Sequence, residues 1–231
     1  MFVSLTEHLL RPLLASPARP LITHYDDATG SRIELSVATT VNWAAKTANW
    51  LVEEADVEAG DEVGVRLPAH WQTAGVLLGA WWCGAQVVTE APGVTFVAPG
   101  ETSSASLTPI VAMDPFGMGM GVTGGLNFLA DVKMYGDDFS PLFPIPGDSP
   151  ALLSSTVDEV IAEARSRAAK LGITSADRVL STVEWTFPDG VLDGLLAPLS
   201  VGAHLVHVSN ANPEKLADRR AAERTTVDLL A

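Results

Sequence analysis

The chain has 231 residues, 47% of them hydrophobic and 18% charged, enough apolar surface for one core or for two subdomains sharing one. Acidic residues outnumber basic ones 28 to 14, and the formal net charge of -14 disfavours nucleic acid and anionic membrane surfaces, which need clustered Lys and Arg. A single cysteine, Cys83, excludes an intrachain disulfide framework and a multi-thiolate zinc site.

The first residues, Met1 to Glu7, lack the basic and apolar regions of a signal peptide, and no apolar run approaches the roughly 20 residues that span a bilayer. The expectation is a cytoplasmic protein with no membrane and no nucleic-acid partner. Short strand-like runs then alternate with helical patterns, which predicts an α/β fold with mostly parallel sheets and flanking helices. A helix is expected over 4–15, paired strands over 21–25 and 32–35 around the Asp26–Gly30 turn, and a helix capped by Ser36 with Val37, Val41, Ala44, Ala48 and Leu51 on one face. A strand over 62–67 stops at Pro68, a helix over 71–82 ends at Gly84, and a buried strand follows over 86–88. Cys83 sits in an apolar run and reads as packing. Trp81 and Trp82, as helix neighbours, should point into different environments.

From Ala91 to Pro150 prolines and glycines are frequent, which suits short strands over 95–97 and 109–113 joined by loops. A subdomain boundary is expected here, with residues 1–100 forming one α/β unit and 101–231 a second, packed together. Gly119, Gly121 and Gly124 match G-x-G-x-x-G, but no strand leads directly into them and Gly125 follows, so a loop is expected and not a dinucleotide site. A short strand near Pro150 should run straight into a helix that Thr156 and Glu159 open with capping-box spacing and that reaches Lys170. Strands over 178–183 and 204–208 flank a helix over 191–199. Asn212 caps a further helix opened by Pro213, and a strand begins near Thr226. His204 and His207, three apart in a strand, should face opposite sides and share no metal. Asp189 and Asp193 read as capping and solvated carboxylates.

Two blocks carry a family likeness. Gly60, Asp61, Val63, Val65, Leu67 and Pro68, followed by Leu77, Leu78, Gly79, Ala80, Gly84 and Ala85, form the first. The second runs through Leu171, Gly172, Asp177, Arg178, Asp193, Gly194, Pro198, Leu199, Gly202 and Ala203. In this order they resemble the scaffold of AMP-forming acyl-CoA synthetases, and the chain resembles a shortened, N-terminal portion of that adenylate-forming superfamily. These are scaffold motifs, informative about fold more than about activity.

The departures bear on function. Between Ser149 and Glu159 the family has a Ser/Thr/Gly-rich loop that ends in a lysine and wraps the phosphates of ATP. Here there is no glycine, Lys or Arg, and Asp158 and Glu159 place negative charge where a phosphate would lie. At the family's aromatic–histidine pair stand Thr186 and Phe187. The family's later adenine- and ribose-binding motifs and its lysine-bearing C-terminal domain have no counterpart in the sequence. The resemblance therefore implies Ser154, Ser155, Thr156, Trp185, Thr186 and Phe187 as ligand-binding positions, with no catalytic residue, no metal and no cofactor. The reading that follows is a non-catalytic relative, a pseudoenzyme, that binds a small molecule or a protein partner. The alternatives are one part of a split adenylating enzyme, completed by a partner chain, and a homodimer formed across an unpaired strand edge.

Overall fold

Helices fill the space between two sheets in the computed structural model, which describes residues 3–231. Met1 and Phe2, and with them the first two positions of the N-terminal stretch read above, lie outside the described residues. The first sheet has five strands in the order β12 (Val227–Leu229), β10 (Arg178–Ser181), β11 (His204–Ser209), β1 (Pro20–Asp26) and β2 (Ser31–Ser36). Its neighbours are parallel except the β1–β2 hairpin. The second has seven strands in the order β7 (Leu126–Asn127), β6 (Pro109–Ile110), β5 (Val94–Val97), β3 (Glu62–Arg66), β4 (Gln86–Val88), β8 (Pro150–Leu152) and β9 (Ser155–Thr156). Only β8 and β9 are antiparallel. The protein is thus an α/β fold of mostly parallel sheets with helices packed on them.

Helix α1 (Leu5–Leu10), α2 (Val37–Glu53) and α3 (Trp71–Trp82) form the central layer. Ser36 Oγ accepts from the Thr39 N–H at 3.1 Å and starts α2, whose buried Val37, Thr40, Ala44, Ala48 and Leu51 recur at helical spacing. Helix α3 is buried along almost its whole length, because it touches β1 of the first sheet, β4 of the second, and both other helices. Trp50 of α2 carries the layer into the second sheet, meeting Phe96 of β5 and, edge-on, Phe128 at ring distances of 5.7 and 5.2 Å. Phe128 opens the short α4 (Phe128–Asp131). Helix α5 (Val157–Lys170) covers β8, and α6 (Asp189–Val191), the π-helical turn Leu192–Leu196 and α7 (Ala197–Ser200) follow one another without a break, α7 resting on β11. A last helix, α8 (Leu216–Glu223), precedes β12. One buried cluster accordingly joins Leu21, Leu35 and Leu205 of the first sheet to Val63, Phe96 and Leu152 of the second.

The elements differ from the sequence reading at identifiable points. The opening helix divides into α1 and a 3-10 turn over Arg11–Ala15, where Pro12 follows Arg11. The expected strand over 109–113 is confined to Pro109–Ile110, since Met113 turns to a positive φ of 55. Strand β10 stops at Ser181, whose Oγ accepts from the Val183 N–H. The junction after Pro150 is not a strand running straight into a helix: β8 turns back on itself through β9 first. Asp189 and Asp193 do not cap; both bind Arg167, at 2.7 and 3.2 Å. Trp81 is buried with its Nε1–H donating to the Ala151 carbonyl, while the half-buried Trp82 packs on Phe139, so the two indoles do part company. The 119–124 glycines lie in a loop, where the Asp114 carboxylate accepts from the Met118 and Gly119 N–H groups. Among the described residues no helix is long and apolar enough to cross a membrane.

The helix pair α2–α3 depends on Gly79. A Cβ there would collide with the Thr47 side chain and stand 2.9 Å from the Ala44 carbonyl oxygen. Gly79→Leu is expected to cost about 3 kcal/mol by overpacking, lowering the melting temperature by roughly 6–12 °C for a chain of this size. A variant melting within about 2 °C of the parent would show that the pair can separate freely.

Candidate functional site

A cleft of ≈ 430 Å³ opens where the carboxyl ends of strands from both sheets meet. Open α/β sheets bind ligands at such ends, where strands stop and loops begin. The second sheet supplies Val65, Arg66, Leu67 and Pro68 at the end of β3, with Thr89 after β4; the first supplies Glu184, Trp185, Thr186 and Phe187 after β10. Two glycines seat that last loop. A side chain at Gly190 would strike the Glu184 carbonyl and Thr186 Oγ1, and one at Gly194 would stand 2.8 Å from the Trp185 ring. Four residues apart, they give the helical run after Pro188 a bare face on which the loop lies. Gly194 falls in the π turn, a feature that often accompanies functional sites. Trp185 is buried, Phe187 half-buried and Thr186 exposed. The one cation of the cleft is already engaged: Arg66 donates to Glu101 at 2.9 Å, to Glu90 at 3.1 Å and to the Thr102 carbonyl at 2.9 Å. Hydrogen bonds from Ser103 and Arg66 hold the Glu90 carboxyl below its usual range, so it stays charged and keeps Arg66 paired.

The junction of β8, β9 and α5 has a different character. A two-residue turn, Leu153–Ser154, joins the antiparallel strands, with Leu153 at a φ of 51. Its N–H donates to the Val87 carbonyl at 2.8 Å and its carbonyl accepts from Gln86 Nε2 at 2.7 Å. A helix N-terminus attracts anions because its first four N–H groups lack partners. Here all four are taken. The Thr156 N–H donates to Glu159 Oε2 at 2.9 Å and the Glu159 N–H to Thr156 Oγ1 at 3.3 Å, closing the capping box that the spacing predicts. The Val157 and Asp158 N–H groups donate to the Ser149 and Gly147 carbonyls at 3.0 and 2.9 Å. Gly147 makes this possible, since any side chain there would collide with the Asp158 carboxylate.

No family model matches the sequence. A protein of Mycobacterium tuberculosis (strain ATCC 25618 / H37Rv) described as "TIGR03089 family protein" is 40% identical over 241 residues, spanning 96% of this chain and 97% of that relative. The chain belongs to the TIGR03089 family. Among solved structures, a Brucella canis acyl-CoA synthetase superposes with a TM-score of 0.80 at 16% identity, over 99% of this chain and 47% of that one. The N-terminal domain of FACL13 from Mycobacterium tuberculosis gives 0.72 at 16% identity, over 97% of this chain and 62% of that one. The TIGR03089 chain thus has the fold of the N-terminal portion of adenylate-forming enzymes and spans about half the length of a whole synthetase.

In this TIGR03089 family member the cleft takes in Trp185, Thr186 and Phe187 and leaves Ser154, Ser155 and Thr156 outside its lining. Thr156 is occupied as a helix cap, Ser155 lies in β9, and Ser154 is exposed at the turn. Sequence reasoning missed Val65 to Pro68 and Thr89. Their signal is positional, each lying at or just past the carboxyl end of a strand. It also missed a histidine stack beneath the cleft. Trp185 meets His207 at a ring distance of 5.4 Å, His207 lies parallel to His24 at 5.8 Å, and His70 meets His24 edge-on at 4.2 Å. Ser209 Oγ donates to the Ala69 carbonyl, so its bond to His24 at 2.9 Å is accepted from the ring Nε2–H. His70 Nδ1 accepts from the Gln72 N–H and caps α3. Neither ring nitrogen of His207 has a partner among the described residues. His204 turns to the other face of β11 and meets Thr23 Oγ1 at 2.9 Å, as the strand period requires. Among the described residues no group of three or more His, Cys, Asp or Glu is placed to hold a metal ion.

Burial holds all three histidines neutral. It lowers His207 to about 3 and, against the pull of Asp26, His24 to about 4; His70 lies well below its ordinary value, from burial and its two histidine neighbours. The unfolded chain, with histidines near pKa 6.5, takes up protons first as pH falls. Stability is therefore full above about pH 6.5 and declines as the pH falls towards the folded-state values of about 4 for His24 and about 3 for His207. His207→Phe removes one protonation site and two unpartnered nitrogens. It should melt at or above the parent temperature at pH 7 and lose less of it between pH 6.5 and 4. A variant that melts far lower at pH 7 and keeps the parent's acid slope would remove His207 as the sensitive group.

Proposed function

We propose that the protein is a non-catalytic member of the adenylate-forming fold, which binds a ligand or protein partner through the retained scaffold, with the cleft at the strand ends as its binding place. The observation that carries this reading is the helix start at Thr156. A polyphosphate needs convergent free N–H groups and usually a lysine, and here the first four N–H groups of α5 are bonded internally. Arg66, the basic residue lining the cleft, is held by two carboxylates. The apolar floor and the exposed Thr186 hydroxyl suit a ligand with an apolar body and a polar end.

The test measures ATP–pyrophosphate exchange with a panel of carboxylic acids, and melting with Mg-ATP, AMP and a stable acyl-adenylate mimic. No exchange is expected, and Mg-ATP should leave the melting temperature unchanged. A ligand at 100 times its Kd would add about 2.7 kcal/mol, a rise of roughly 5–11 °C. Exchange by the pure chain with any acid sinks the proposal, and exchange appearing only when a second adenylate-forming chain is added establishes the split enzyme in its place.

A further inference from the structure

A second cavity, of ≈ 470 Å³, lies at the opposite end of the second sheet from the cleft. It opens beside Ala59 and Cys83, which precede β3 and β4, so it meets the amino ends of strands whose carboxyl ends form the cleft. Its floor is the buried Val57, Cys83 and Ile145. Burial pushes the Cys83 thiol up to about 12, so this wall is an inert apolar surface and not a nucleophile. The far wall is the irregular segment from Phe139 to Ile145, fixed at both ends. Phe139 packs against Trp82 at a ring distance of 5.9 Å, and Ile145 fits over Gly84, where a Cβ would stand 2.5 Å from its Cδ1. Between those anchors Leu142 and Phe143 are 86% and 75% exposed, large apolar side chains standing at the mouth of an apolar hollow.

The charges at the mouth are of one sign. Asp56 and Glu58 line the rim, both exposed, neither in an ion pair among the described residues, and no Lys or Arg joins the lining. The volume is that of a small-molecule pocket, and such pockets combine apolar walls with a few polar groups that set orientation. We infer that this cavity binds an amphipathic amine: an alkyl or aryl body covering Leu142, Phe143 and the Val57–Cys83–Ile145 floor, with its ammonium group between Asp56 and Glu58. A carboxylic acid of the same body would meet repulsion at the rim, and an uncharged alcohol would gain only the apolar contacts.

Decylamine, decanol and decanoate differ only in that head group, and each is titrated into the full chain below its aggregation concentration by calorimetry. Decylamine should bind about tenfold more tightly than decanol, and decanoate most weakly. The double variant Asp56→Asn, Glu58→Gln should abolish the preference for the amine while keeping decanol binding. Ala59→Phe, or Ser140→Phe should the first not fold, fills the hollow and should abolish binding of all three, with the melting temperature showing that the fold is intact. Equal affinities, a preference for decanoate, no binding of any probe, an amine preference that survives the double variant, or binding that survives the filling variants would each overturn the inference.

Discussion

Two sheets pack on the helices that lie between them, and the central pair, α2 and α3, approaches only as closely as Gly79 allows. Because α3 touches β1 on one side and β4 on the other, it spaces the two sheets, and it is held in place by close packing against α2. Thr47 and the Ala44 carbonyl occupy the space a side chain at 79 would need. The cleft inherits this constraint, since one of its walls follows β3 and the other follows β10. A change deep in the helix pair would therefore act at the cleft by moving one sheet end against the other, without touching any cleft residue. Protein interiors are packed too closely to absorb such a shift locally.

The start of α5 bonds its own first N–H groups within the chain and keeps the strand and helix packing around it. Strand β8 still pairs in parallel with β4, and α5 still covers β8. The difference lies in where the backbone hydrogen bonds go. A long phosphate-wrapping loop would leave several N–H groups free for a ligand. The two-residue turn instead gives its N–H to Val87, and the segment from Gly147 to Ser149 folds over the helix to accept two more. The capping box uses the last two. The negative charges of Asp158 and Glu159 in the first turn then stabilise the helix dipole. Each of these contacts satisfies a group that would otherwise need water or a ligand, so the segment is complete in itself.

How much of this was legible depended on whether the signal was local. Helix α3 and strand β4 were readable residue by residue, because Pro68 and Gly84 bound the helix and the strand lies between Ala85 and Thr89. The capping box at Thr156 and Glu159 was readable for the same reason. Strand β6 shows in the sequence but only its first two residues pair, while β7 and β9 have two residues each and are strands only through their pairing. Trp185, Thr186 and Phe187 stand out in the sequence only through a family likeness, whereas Val65 to Pro68 and Thr89 join them because two sheets end together. The histidine stack gathers positions 24, 70 and 207 from a strand, a helix cap and another strand, and no window of sequence contains more than one of them.

That stack is also one of the places where the chain departs from the rule that buried polar groups are paired. A phenyl ring would fill the place of His207 without burying two nitrogens, so packing alone gives no reason for an imidazole. The Trp185 indole resting on it is in the same condition, its Nε1–H buried without a partner among the described residues. Trp50, Trp71, Gln72, Arg178, Arg219 and Thr225 also bury a polar atom without a partner among the described residues. The His207 and Trp185 nitrogens, however, are the ones directly behind the cleft, and breaches of local consistency often fall at functional positions. Trp185 is at once the neighbour of His207 and the floor of the cleft. The polarity buried behind the cleft and the opening in front of it are therefore parts of one arrangement, and any ligand that moves the indole must act on the histidines as well.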